Sequence, residues 1–469
     1  MKKVCLLVIC CVILTGVRGQ AIASRLAEAV AQLEKDPQLQ AALVSIYIVD
    51  QSTGKTVFEK NSRYGVAPAS AQKIVTAAAS LAMLGQEYRY KTKLNLFKES
   101  STNTGIIEVI GSGDPSLGSW RYASSSSQQL LEQCTRFVMK TGSGIQWKGI
   151  YANGPAGSVA SGVMDVHLPD GYIWQDIGNY YGAGTSGLNW NENQYDILFK
   201  SGKTGDTTAI TALKPMQDKL LFRNYVTAGK AGSGDNAFIY AAPFSAEAVI
   251  RGTVPPGRSS FSISGSMPDP AYSFLSDLRR ALLAAGAKVD TFHSAMLAPP
   301  VKKEADSSSF VYQSPGMDSL VYWFLRKSIN LYGEAFVRTI ALQQAGTYDA
   351  ETGLHLIKKF WAARGISSHQ LNIADGSGLS PQNRVTTEAL VKVLQFAKTQ
   401  PWFKAFYDAL PVFNGMKMKS GSINGARAYT GYHTAASGNA YSFAIVVNNY
   451  EGSSSAVVSK MFKVLDHLK

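Results

Sequence analysis

Cysteine is scarce in this chain: four in 469 residues, three of them (Cys5, Cys10, Cys11) close to the N-terminus. Without that leader only Cys134 remains, which excludes an internal disulfide and leaves stability to an apolar core. Charge is thin as well, at 17% of residues, with 46 Lys+Arg against 33 Asp+Glu. No run of basic residues exceeds a pair, so the net charge of +13 is too diffuse for a nucleic-acid arm. Spread over a surface, it favours anionic polymers such as cell wall. No segment after the leader approaches the roughly twenty uncharged apolar residues of a membrane span, so no integral membrane segment is expected in the mature chain. No Gly-x-Ser-x-Gly elbow occurs, which disfavours a Ser-His-Asp hydrolase of that type. His167, His293, His355, His369, His433 and His467 are scattered without paired ligand spacing, so neither a metal nor any other cofactor is expected. Gly202-Lys203-Thr204 is not a phosphate loop, because Ile197 stands where that loop needs glycine.

What is present begins with a leader. Lys2 and Lys3 precede an apolar run from Val4 to Val17, and small or polar residues follow around Gly19 to Ala21. This is the plan of a secretory signal peptide over residues 1–19, and it places the mature protein outside the cytoplasm, in the periplasm or cell envelope. A lipid attachment at Cys10 or Cys11 is disfavoured by the bulky or thiol residue before each. With 45% apolar residues, the remainder is long enough for about three domains.

Periodicity predicts a helix over 23–35, strands over 43–49 and 56–59 around a turn at 51–54, and a helix over 74–84 stopped by Gly85, with Ser70 at its start. Between about 96 and 300 the chain turns to Gly, Ser, Asn and short alternating segments such as 195–199 and 207–213, which read as strands and loops. Cys134 lies in an apolar helical pattern with Leu130, Leu131, Phe137 and Val138, the setting of a packed core thiol. A cluster at 298–304 marks the exit from this region. Helical patterns then return at Leu320 to Leu325, Phe336 to Leu342, 354–363 and 390–397. Paired strands at 427–432 and 441–448 and a final helix over 457–468 close the chain. Segregated helices and antiparallel-looking hairpins argue an α+β fold.

Chemistry concentrates at three places. In Ser70-Ala71-Gln72-Lys73 a spacing of three brings hydroxyl and ammonium to one face, the arrangement of a nucleophile and its base. The same spacing at Ser52 to Lys55 falls in a hairpin turn. Ser328-Ile329-Asn330 sits between helical patterns and can present a hydroxyl and an amide to a cleft. Lys419-Ser420-Gly421 precedes a strand pair, with a glycine that would let a substrate backbone lie against a strand edge. Lys140-Thr141-Gly142 at a helix end and Lys203-Thr204-Gly205 in a turn have structural explanations.

Together, in this order, the three elements resemble the Ser-x-x-Lys, Ser-x-Asn and Lys-Thr-Gly set of penicillin-binding proteins and serine β-lactamases. More than half the chain separates Ser70 from Ser328. That insertion resembles the low-molecular-mass class C penicillin-binding proteins, the D-alanyl-D-alanine carboxypeptidase/endopeptidase family. Gly111 to Pro115, Asn189 to Asn193, Ser328 to Glu334 and Asp375 to Ser380 are similar too. Ser420 stands where the family usually has Thr, and Ile329 where a polar residue is commoner.

The resemblance implies a transpeptidase-like domain, an antiparallel sheet with helices, from residues 22–95 and 303–469. Nested in it would be two mainly β domains, one of residues 96–165 and 262–302, the other of 166–261. It also implies catalytic roles for Ser70, Lys73, Ser328 and Lys419 and substrate-binding roles for Asn330, Ser420, Gly421 and Ser422. The implied substrates are peptidoglycan stem peptides, cleaved as a carboxypeptidase and also as an endopeptidase, with β-lactams as covalent inhibitors. A β-lactamase or esterase on the same fold, and an envelope-assembly protein that binds peptidoglycan without turnover, are the competing readings.

Overall fold

The computed structural model describes residues 22–99, 101–155, 166–294 and 306–469. The predicted signal peptide and the 298–304 cluster lie outside the described residues. The chain forms two compact units. One takes the N-terminal residues to Ala82 with Val321–Ser328 and Ile357–Lys469; the other takes Met83–Leu320 with Ile329–Leu356.

The first unit is built on an antiparallel sheet in the order Val412–Phe413, Met416–Ile423, Ala426–Thr434, Ala440–Asn448, Leu43–Asp50, Thr56–Lys60. Its central strands are buried on both faces, which explains why Ala440–Asn448 reads as an almost continuous apolar run rather than an alternation. On one face, the helix over 22–34 and the helix Ser454–Leu465 bring Leu26, Val30, Val457, Met461 and Leu465 onto Ile46, Ile48, Phe443 and Ile445. Helix Thr387–Lys398 covers the other face, where Thr387 hydrogen-bonds Ser45 and the Leu394 carbonyl accepts from Tyr432. Thr386 caps that helix by accepting from the Ala389 N–H, satisfying one of its orphan donors.

The second unit holds two separate apolar clusters. In one, a mixed sheet runs Lys288–Val289, Gln146–Asn153, Thr104–Ile110, Lys91–Glu99, Asp306–Gln313, packed by helices Ser127–Thr141 and Pro270–Ala284. Thr104–Ile110 and Gln146–Asn153 run parallel across helix Ser127–Thr141, a βαβ crossover inside a fold whose hairpins read as antiparallel. In the other cluster, two three-stranded sheets share a core. Their orders are Leu221–Ala228, Glu247–Val254, Asn236–Tyr240 and Phe261–Ser266, Gln194–Lys200, Ala209–Lys214. Asp306–Gln313 pairs along its length with Lys91–Glu99, so residues 91–95 and 306–313, expected in the transpeptidase-like domain, belong by hydrogen bonding to the second unit's sheet. Cys134 is buried in the first cluster, and burial pushes its thiol up to about 12. Helix Asn330–Ala345 is buried nearly all round, which is why it carries no clear apolar stripe. Among the described residues no helix is long and apolar enough to cross a membrane.

Candidate active site

Ser70 does not open a regular α-helix. It sits in a single 3₁₀ turn, Ala69–Gln72, that runs into helix Lys73–Met83. With three residues per turn, this geometry stacks positions i and i+3 directly above one another. The Lys73 Nζ consequently donates to Ser70 Oγ at 2.9 Å. Ala69 enters the turn with a left-handed φ of 45°, an uncommon conformation for a residue with a side chain.

Two other segments hold this turn from the sides. The first is the loop Asp375-Gly376-Ser377-Gly378-Leu379-Ser380. Its Ser377 carbonyl accepts from Lys73 Nζ at 2.7 Å, its Gly376 carbonyl from Thr76 Oγ1 at 2.6 Å, and its Asp375 carbonyl from Gln72 Nε2 at 2.7 Å. Gly378 has a φ of 81°, and a Cβ there would lie 2.1 Å from the Ala69 carbonyl oxygen, so glycine is required twice over. The Asp375 carboxylate closes the loop on itself by accepting the N–H groups of Gly378 and Ser380, both at 2.6 Å.

The second segment is strand Met416–Ile423, introduced by the tight Asn414-Gly415 turn, whose two residues both have positive φ. The Met418 N–H bonds the Pro411 carbonyl. Strand alternation therefore points the N–H groups of Ser420 and Ser422 toward the same edge, which no other strand pairs beyond that point among the described residues. Gly421 presses on the Ser70 turn: a Cβ on it would lie 2.2 Å from the Pro68 carbonyl oxygen. The direction a side chain at Gly421 would take is thus occupied by the protein's own turn. What Gly421 permits is close approach of the strand to Ser70.

Lys419, on the same face as Gly421, is 1% exposed. Its Nζ donates to the Ser420 carbonyl at 2.8 Å. Burial, and then repulsion from Lys73, hold its ammonium well below the usual lysine range. Lys73 is fully buried, with its Nζ 5.6 Å from the centre of the Phe324 ring. Burial raises the Asp375 carboxyl, against the lowering effect of its N–H donors, of Asn383 and of the Lys73 charge.

The structure thus brings Ser70, Lys73, Lys419 and Gly421 together, with Ser420 half-buried and Ser422 exposed on the same strand. Ser328 belongs to the same unit. It is half-buried, has a left-handed φ of 59°, and follows by two residues the helix that carries Phe324. Asn330 belongs to the second unit, where it begins helix Asn330–Ala345 and its Nδ2 donates to the Tyr181 carbonyl at 2.7 Å. The loop Asp375 to Ser380 was absent from the expected site. Its signals in the sequence are its similarity to the family and a Gly/Ser-rich break between helical patterns, neither of which assigns a role, because it acts through main-chain carbonyls.

The model of the D-Ala-D-Ala carboxypeptidase 3 (S13) family matches residues 26–468. A D-alanyl-D-alanine carboxypeptidase of Actinomadura sp. (strain R39) is 23% identical over 92% of this chain and 82% of its own length. The carboxypeptidase DacB of Mycolicibacterium smegmatis is 23% identical over 90% of this chain and 80% of its own. Among solved structures, penicillin binding protein 4 of Haemophilus influenzae superposes with a TM-score of 0.75 at 18% identity, over 93% of this chain and 98% of that one.

Proposed function

From the premise that the chain belongs to the D-Ala-D-Ala carboxypeptidase 3 (S13) family and is a serine-type D-Ala-D-Ala carboxypeptidase, we propose how its residues divide the reaction. Ser70 Oγ attacks the carbonyl of the penultimate D-Ala of a peptidoglycan stem peptide, and Lys73 takes its proton. The observation that carries this reading is the 2.9 Å contact between Lys73 Nζ and Ser70 Oγ. A second cation beside it, Lys419, disfavours two full charges at once and so makes a neutral amine accessible.

The N–H groups of Ser70 and Ser422 stabilise the tetrahedral oxyanion. The open strand edge and the contact of Gly421 with the Pro68 carbonyl support that assignment. Lys419 and Ser420 bind the terminal carboxylate, a task for a fixed cation and a hydroxyl donor. Ser328 passes the proton to the departing D-alanine amine, and Asn330 holds the substrate amide. Water then hydrolyses the Ser70 ester, releasing the shortened peptide. The same steps cleave a cross-link when the amine leaving the acyl carbon belongs to a second stem peptide. β-Lactams enter as substrates whose acyl-enzyme persists. The predicted leader and a peptidoglycan substrate support a location in the cell envelope, outside the cytoplasm. The two apolar clusters of the second unit support two nested domains within the insertion.

Intact-mass analysis after incubation with benzylpenicillin, on wild type and Ser70→Ala, tests this reading. A single drug-sized increase on wild type alone is expected. No adduct on wild type, or an adduct that survives Ser70→Ala, overturns it and favours a protein that binds peptidoglycan without turnover.

A further inference from the structure

We propose that Asp375 is a positioning residue for Lys73, acting through its own loop rather than by touching substrate. The inference rests on the reading of Ser70 and Lys73 as nucleophile and base.

A lysine used as a base must keep its nitrogen within reach of the hydroxyl, yet a four-carbon stem has many rotamers. Here two acceptors fix the Nζ, Ser70 Oγ on one side and the Ser377 carbonyl on the other. That carbonyl is aimed by a buried loop whose single large apolar side chain is Leu379, the rest being Asp, Gly and Ser. Its shape comes from the Asp375 carboxylate, 1% exposed, which accepts the Gly378 and Ser380 N–H groups. The loop is then docked on the turn by Gln72, by Thr76 and by the close contact of Gly378 with the Ala69 carbonyl. Every polar partner of Asp375 is a donor, so a carboxylate satisfies the site and a neutral amide does not. The cations tied electrostatically to this centre are Lys73, from helix Lys73–Met83, and Lys419, from strand Met416–Ile423. Asn383 is the neutral partner on the loop's exit.

The test is the rate of benzylpenicillin acylation, followed by mass against pH, for wild type, Asp375→Asn and Gly378→Ala. Asp375→Asn is expected to reach the full one-drug adduct on Ser70, so nucleophile and fold persist, but about a hundred-fold more slowly, the scale of an ångström-sized misplacement. It also removes a negative charge that acts on Lys73, so the limb of its pH profile set by Lys73 moves to lower pH. Gly378→Ala keeps the charge and displaces the loop, so it loses rate with that limb unmoved. A wild-type rate in either variant overturns the proposal. So does a slower Asp375→Asn with an unmoved profile, the mark of a merely structural role. Should Asp375→Asn fail to fold, Gly378→Ala decides alone. A wild-type protein that forms no adduct refutes the Ser70 reading instead, which separates the two failures.

Discussion

Both units bury ionisable groups, and they treat them in opposite ways. In the second unit Glu192 is 3% exposed and saturated with donors: Arg121 Nε at 2.9 and 3.1 Å, Ser119 Oγ at 2.7 Å and Tyr332 OH at 2.9 Å. Its segment, Asn191-Glu192-Asn193, adopts left-handed φ throughout, held in place by these bonds and by Asn193. In the first unit two lysines are buried within each other's field, and the carboxylate that acts on Lys73 is itself occupied by main-chain N–H groups. A charge paired on every side serves as a joint. A cation buried next to another cation and a hydroxyl has its charge under pressure, so a proton can leave it at little cost.

The comparison can be broken from either side. The largest effect is expected from Lys73→Met, which removes the base and should slow acylation by about 10²- to 10⁴-fold. Because it also relieves repulsion with Lys419, its melting temperature should hold or rise. A lysine whose loss both unfolds the protein and spares acylation would place Lys73 with Glu192 instead. Glu192→Gln should do the reverse. With its cation left facing an amide, the second unit loses about 3 kcal/mol of stability in denaturant titration, while the folded fraction still acylates. An unchanged denaturation midpoint would show that this network is not the joint its geometry describes.

The smallest expected effect concerns Asp114, a third type of buried acid. Its Oδ1 accepts from the Ser116 N–H and Oγ, its Oδ2 has no hydrogen-bond partner, and burial raises its carboxyl to about 6. Since the folded value exceeds the usual 3.8, the protonated form stabilises the fold. That contribution is complete below pH 3.8 and is lost as pH rises through about 6. Asp114→Asn should remove the slope and exceed wild type above that window by up to about 3 kcal/mol. Parallel pH profiles of stability for the two proteins would contradict this.

The sequence was most legible where chemistry is written in side chains at short range. Ser70 and Lys73 are three positions apart, and a turn is enough to join them. Lys419 and Gly421 were legible as a triplet, but the reason for the glycine was not. What it meets is Pro68, a contact between segments far apart in the chain, and no local pattern encodes which backbone will lie opposite. The loop Asp375 to Ser380 stayed outside the expected site for a related reason, since a carbonyl acceptor has no residue type. Elements of strong periodicity, such as the helix over 22–34 and strand Leu43–Asp50, lie where expected. The parallel pairing of Thr104–Ile110 with Gln146–Asn153 and the long pairing of Lys91–Glu99 with Asp306–Gln313 depend on register between distant strands, which hydropathy does not specify.

One feature of the first unit's sheet sets the order in which this enzyme can come into being. Leu43–Asp50 lies between Thr56–Lys60 and Ala440–Asn448, so the earliest strands of the chain complete their sheet only with the last. The Ser70 turn leans on Gly378 and Gly421, both made long after it. A growing polypeptide therefore carries its hydroxyl and its ammonium unassembled, with neither carbonyl clamp nor strand edge to arm them. Reactivity arrives in one stroke with the final hundred or so residues, after slow long-range pairing of the kind that high contact order imposes. A truncated product would hold the Ser-x-x-Lys sequence and remain inert.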